Sequence, residues 1–199
     1  MAMILNEIIK SYNLVLASAS PRRIDLMRGM GFEFTIRPLD ADESYPPSLK
    51  GSEIAVYLSR KKSEAFPETE LQAKTVVITA DTIVWQHNRA LEKPFDRNHA
   101  IEMLKSLSAA EHEVFTGVTL RSLRKSHSFF NRSLVKFREL SIEEMEYYVD
   151  TCKPFDKAGS YGVQEWIGYV AIERIEGSYF NVMGLPTRVL YQELGNFVD

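Results

Sequence analysis

The chain has 199 residues, 45% of them hydrophobic, with 24 Lys plus Arg against 27 Asp plus Glu and a net charge of -3. That length suits one domain, or two closely joined lobes, able to bury about 70% of the unfolded surface, and the acidic balance argues against broad electrostatic binding to nucleic acid or anionic membranes. The single cysteine, Cys152, excludes an internal disulfide and a multi-cysteine metal site, suits a reducing compartment, and reads better as packed than as catalytic. Residues 1–10 hold only a short apolar patch with Glu7, so neither a signal peptide nor a membrane span is expected and the protein reads as soluble and cytoplasmic.

Residues 14–17 read as a short buried strand that runs into Ser18, Ala19, Ser20, Pro21, Arg22 and Arg23. Ser20 is a good helix N-cap and Pro21 fits the first helical position; Ile24, Met27 and Met30 then recur at helical spacing until Gly31 ends the run. A helix N-terminus offers unpaired N–H groups and partial positive charge, and two hydroxyls and two guanidinium groups are added at the same place. An anion is the natural occupant, although an ordinary capped helix with two solvated arginines explains this segment as well. Residues 32–37 read as a strand, residues 40–51 as an acidic, proline-containing loop, and a second helix starts at Ser52. Residues 75–80 form an almost continuous β-branched run, the pattern of a strand covered on both faces, ending at Asp81.

Asp96 can cap a third helix whose Ala100, Ile101, Leu104 and Leu107 share a face. Residues 113–137 alternate as two longer antiparallel strands with a turn near Lys125 and Ser126, and His112, Thr116 and Gly117 suggest a strand start with a bulge. Ser141 and Glu144 make a capping-box pattern before a short helix, residues 170–175 and 178–182 look like a hairpin around Gly177, and a last helix follows Pro186. Apolar segments alternating with helical ones give an α/β architecture without repeats or long linkers.

Several polar residues sit where folding alone would not put them. Lys62 shares a helical stripe with Ile54, Leu58 and Ala65, so it either snorkels to solvent or aims into a cleft. Asp81 stands where a buried strand is expected to stop, and in open α/β sheets ligands lie outside the carboxyl ends of strands; a turn-forming Asp is the plain alternative. Lys93 precedes Pro94 and is extended. Glu43, in the acidic loop with Asp40 and Asp42, is either solvated or joins Asp81 around a divalent ion. Gln164 closes a glycine-rich loop that starts at Lys157 and can read a base edge with its amide; a bland turn is equally consistent. The four histidines show no metal-ligand spacing.

Taken together, Ser18 to Arg23, Glu43, Lys62, Ala80 to Val84, Lys93 with Pro94, His112 to Gly117, Lys157 to Gln164 and Asn181 to Pro186 resemble the Maf family of nucleoside triphosphate pyrophosphatases, in order and over nearly the whole chain. The resemblance implies one Maf-like domain over residues 1–199, an α/β fold with a Maf/ITPase-like mixed sheet and flanking helices, and two lobes around a central cleft. It also implies a divalent metal cation, Mg2+ or Mn2+, and hydrolysis between the α and β phosphates. The branch acting on dTTP and UTP carries arginine, threonine and glutamine where this chain has Arg22, Thr82 and Gln164. Glu92 departs from the family, many members of which have glycine before the lysine-proline pair.

On this resemblance Ser18, Ser20, Arg23, Lys62 and Lys93 hold phosphates, and Arg22, Thr82 and Gln164 select the base. Glu43 and Asp81 hold the metal, and Asp81 accepts the proton of the attacking water. The partner is a small-molecule nucleoside triphosphate, with no nucleic acid and no membrane; a homodimer is compatible with the reading. The competing reading is a non-catalytic nucleotide-binding regulator of cell division, since the family was named for an effect on septum formation.

Overall fold

The structure, a computed structural model, describes residues 4–198. Its centre is the β-branched run: β3 (Thr75–Gln86) is buried along nearly its whole length and is the strand around which the sheet is ordered. On one edge it pairs antiparallel with β5 (Glu111–Arg121), which continues through β6 (Ser126–Phe137) to β7 (Ile172–Glu176). On the other edge it pairs in parallel with β1 (Asn13–Leu16), which carries the two-residue β2 (Thr35–Ile36), and further along with β4 (Arg89–Leu91) in antiparallel fashion. The β1 pairing stops at Ile78 and the β4 pairing starts at Val84. Between them one edge of β3 carries no strand, and Asp81 is in that gap.

Alternation along β3 sends Thr79, Asp81 and Ile83 to one face of the sheet and Ile78, Ala80 and Thr82 to the other. The first face is covered by α3 (Ser52–Glu64), whose Ile54, Ala55 and Leu58 pack with Ile83 and Phe115. The opposite face is covered by α1 (Leu5–Ile9), α2 (Pro21–Gly29) and α8 (Thr187–Val198), which form one large core with Val76, Ile78, Val118 and Leu120. A second large core gathers Val84, Val114, Val135 and Phe137 under α4 (Arg97–Leu107), α5 (Ile142–Cys152) and α6 (Trp166–Ala171). Fully burying each such Leu, Ile or Phe contributes about 1.5–3 kcal/mol. None of the described helices is long and apolar enough to cross a membrane.

The helix signals hold: Asp96 accepts from the His99 N–H at 2.7 Å to cap α4, and Ser141 and Glu144 form a reciprocal capping box on α5. Four expectations are corrected. The strand does not end at Asp81 but continues to Gln86, because β5 pairs with it from Val77 to Trp85 whatever the side chain, and it stops at a turn with His87 and Asn88 at positive φ (48° and 61°). Residues 178–182 are not a hairpin arm; α7 (Tyr179–Met183) is a short helix capped by the Ser178 hydroxyl and closed by Gly184 at φ 118°, too brief for periodicity to reveal. Only Thr35 and Ile36 of residues 32–37 pair, while Phe32 and Phe34 turn into the core. No bulge marks β5 near His112; the register shift lies in β6 at Lys136 and Phe137.

Candidate active site

The gap in the β3 edge opens into a cavity of about 710 Å³ between the two large cores, lined by residues 17–23 on one side and by Lys93, Tyr161 and Gln164 on the other. β1 delivers Ser18 to it, and the chain turns at once into α2. Ser20 occupies the N-cap position but makes no capping bond; the Ser18 hydroxyl instead accepts from the Ser20 N–H at 3.2 Å. The Ser20 hydroxyl is therefore left for another partner. Arg23 turns inward and is held on three sides: Nε donates to the Gly184 carbonyl at 2.9 Å, Nη2 to Thr82 Oγ1 at 3.2 Å, and Nη1 approaches Ser18 Oγ at 3.5 Å. Burial, with the nearby Arg22 charge, pulls its guanidinium below the ordinary value, while Asp81 and Glu43 oppose this. Arg22, less enclosed, reaches Asp156 at 3.2 Å.

Across β3, on the α3 face, the second cluster assembles. Lys62 Nζ lies 2.5 Å from Asp81 Oδ1 and 2.8 Å from Glu43 Oε1, and Lys93 Nζ lies 2.9 Å from Glu43 Oε2. The Lys62 and Asp81 side chains are only 15% and 11% exposed, against 47% and 54% for Glu43 and Lys93, so the inner pair is the desolvated one. Burial raises the Glu43 carboxyl, but hydrogen bonds from Lys62 and Lys93 outweigh it and hold the group down at about 2. The acidic loop is strapped to α3 twice, since Lys61 also binds Asp42 at 2.7 Å. Glu92, the departure from the family pattern, accepts from the Tyr45 hydroxyl at 3.0 Å and so ties this loop to the chain beside Lys93.

α3 reaches Asp81 because it lies unusually close to the sheet. Gly117 pairs with Asp81 in register, and a Cβ there would stand 2.3 Å from the Ala55 carbonyl carbon and oxygen. One turn on, the Ser59 carbonyl accepts from Thr79 Oγ1 at 2.6 Å and its hydroxyl meets Thr119 Oγ1 at 2.9 Å. Thr82, on the other face, joins Arg23 to Thr116 and, through the Thr116 hydroxyl, to the Asn181 carbonyl.

Gln164 lines the cavity and its Oε1 is buried without a hydrogen-bond partner. The structure thus gathers Ser18, Ser20, Arg22, Arg23, Glu43, Lys62, Asp81, Thr82, Lys93 and Gln164 around one cavity. Sequence reasoning missed Asp156, Glu165 and Tyr148, which with Lys157 tie down the Gln164 loop. The Asp156–Lys157 doublet was a signal for part of this; nothing local marks Tyr148, which reads as one more apolar-face residue of α5. Cys152 is half-buried against the second core, and burial raises its thiol, consistent with packing.

Among the described residues no group of three or more His, Cys, Asp or Glu side chains is placed to hold a metal. The donor chemistry present is narrower: Glu43 and Asp81 direct carboxylate oxygens at one cation position, presently shared with the Lys62 ammonium. Two carboxylates fit a hard divalent ion that completes its shell with water and phosphate oxygens. Cationic and hydroxyl groups on one wall and a carboxylate pair on the other can together bind a polyanion and orient a water against it.

A family model described as "Maf-like protein" matches residues 13–197. The chain is 51% identical over 187 residues to a protein of Bacteroides thetaiotaomicron named dTTP/UTP pyrophosphatase, covering 94% of this chain and 96% of that protein. It is 48% identical over 192 residues to a Parabacteroides distasonis protein of the same name, covering 96% and 99%. In fold it is similar to the Staphylococcus aureus Ham1 protein, with a TM-score of 0.50 and 12% identity over 93% of this chain and 99% of that one.

Proposed function

The chain belongs to the family of Maf-like proteins, and from that premise we propose that it hydrolyses dTTP and UTP to the nucleoside monophosphate and pyrophosphate in the cleft beside β3. The observation that carries the reading is the meeting of Asp81, Lys62, Glu43 and Lys93 across the strand from Arg22 and Arg23. A nucleoside triphosphate brings about four negative charges, and such enzymes lower the barrier by positioning and charge stabilisation. Lys62 and Lys93 supply point charges, Arg23 a planar fork prearranged by Gly184 and Thr82, and the Ser18 to Ser20 turn hydroxyls and N–H groups. Asp81, fixed by Lys62, orients the attacking water and takes its proton. Glu43 and Asp81 would hold a Mg2+ or Mn2+ ion, which when bound neutralises phosphate charge.

Arg22, Thr82 and Gln164 are the residues we assign to base choice. A non-hydrolysing nucleotide-binding regulator needs cations and amides but has no use for carboxylates beside a polyanion, so the Glu43–Asp81 pair favours the enzyme. The setting we assign is the cytoplasmic nucleotide pool. Incubation with Mg2+ and a panel of nucleoside triphosphates tests the reading: monophosphate plus pyrophosphate from dTTP and UTP supports it, and diphosphate plus orthophosphate overturns it.

A further inference from the structure

Glu43 sits between two residues that a single ammonium holds. Lys61 Nζ donates to Asp42 Oδ2 at 2.7 Å, to the Ser44 carbonyl at 2.9 Å and to Ser44 Oγ at 3.1 Å, which uses all three of its N–H groups. Asp42 and Ser44 are also joined to each other: the Ser44 N–H donates to Asp42 Oδ1 at 2.9 Å and the Ser44 hydroxyl to Oδ2 at 2.5 Å. The hydrogen bond from Lys61, with those from Ser44, holds the Asp42 carboxyl well below the usual carboxylate range, so this clamp is charged at neutral pH.

Lys61 and Lys62 are neighbours on α3, about 100° apart around its axis, and they divide the loop between them. Lys62 takes Glu43 and Asp81 inside the cleft, while Lys61 takes the residues before and after Glu43. The cavity wall includes Asp40, Ala41, Glu43 and Lys62 but not Asp42, Ser44 or Lys61. That separation matters for a carboxylate in this place. The direct partners of Glu43 are Lys62 and Lys93, cations that an arriving polyanion also attracts. The Lys61 contacts lie outside the cavity, away from that competition. Past Ser44, Tyr45 packs against the cluster of Ile54, Leu58 and Phe115 and its hydroxyl donates to Glu92, so the loop is anchored on that side too.

We propose that Lys61 is a positioning residue: by gripping the residues on either side of Glu43 from outside the cavity, it keeps that carboxylate aimed at the cation position shared with Asp81. This deepens the reading of the cleft and rests on it. Two effects of removing Lys61 oppose each other. Loss of its charge alone would draw a divalent cation in more strongly, whereas loss of its grip lets Glu43 drift and weakens the hold on that cation.

The test is calorimetric titration with α,β-imido-dTTP, which is not cleaved between the α and β phosphates, once in Mg2+ and once in EDTA. The ratio of the two dissociation constants is the tightening due to the ion. In Lys61→Gln we expect that ratio to shrink about ten-fold, the scale on which residues supporting a metal ligand act, with the affinity in EDTA changed less. Tm should fall by a few degrees at most, because the contacts are near the surface. Asp42→Asn, which removes the charge at the other end of the clamp, should shrink the ratio by a smaller factor, and it carries the test if Lys61→Gln does not fold. A merely structural role would weaken both affinities in proportion. A ratio that is unchanged or larger therefore overturns the proposal while the reading of the cleft stands. A wild type whose affinity Mg2+ does not improve overturns the Glu43–Asp81 ion position and this proposal together.

Discussion

Asp81 is a carboxylate in the middle of a strand, a position that is costly unless charge is paired with it. Lys62 provides the pairing at 2.5 Å, and Asp81 with this partner lines the cavity. Replacing it separates chemistry from binding: Asp81→Asn should lower kcat by at least about 100-fold, the scale of a lost general base, while dTTP still binds, as pyrophosphate release and calorimetry will show. A second buried group predicts a pH effect. His112 is 2% exposed, with Nε2 2.7 Å from the Tyr161 hydroxyl, and burial pulls its ring from 6.5 down to about 3. Between those values the unfolded chain binds a proton that the folded one refuses, so stability rises with pH across that window and is lost as pH falls from about 6.5 towards 3. The slope from one such proton is at most about 1.4 kcal/mol per pH unit. Melts of the wild type and His112→Gln at pH 7 and pH 4.5 should show a smaller acid loss in the variant.

At the scale of elements, the decisive contact is α3 against the sheet. Gly117→Ala would force the Ala55 backbone away from the strand that pairs with Asp81. Overpacking of this kind costs about 1–3 kcal/mol, or a Tm lower by about 2–10 °C, and displacing Lys62 should lower kcat as well; calorimetry with pyrophosphate release checks both. This closeness was not legible in the sequence, where Gly117 suggested a bulge, because the atom it makes room for is 62 residues away. What was legible depended on local chemistry: the strand-to-helix turn at Ser18 to Arg23, the caps at Asp96 and Ser141, and the misplaced charge of Lys62 on an apolar stripe. The β-branched run ends at Asp81 but β3 does not, because pairing with β5 and with Lys62 makes the charge tolerable in mid-strand. α7 is not legible because five residues are too few to show a period. The partners of Arg22 and Asp81, Asp156 and Lys62, are hidden for one reason: side chains meet across the fold, not along the chain.

For the whole molecule, the site exists because the sheet is incomplete. One edge of β3 is covered first by β1 and then by β4, and the uncovered stretch between them meets a helix start, a strapped acidic loop and a glycine-rich loop from three distant parts of the chain. Although the net charge is -3, five cationic side chains, Arg22, Arg23, Lys62, Lys93 and Lys157, line this cleft. If Glu43 and Asp81 hold the divalent ion as proposed, EDTA should abolish pyrophosphate release and added Mg2+ should restore it; full activity after exhaustive chelation would remove the ion from the account. The cleft as proposed sets water against the α phosphorus. Hydrolysis of dTTP in 18O-labelled water, followed by mass spectrometry of both products, reads out which phosphorus is attacked. Attack at the α phosphorus puts the label in the thymidine monophosphate and none in the pyrophosphate; label in the pyrophosphate would place the attack at the β phosphorus instead.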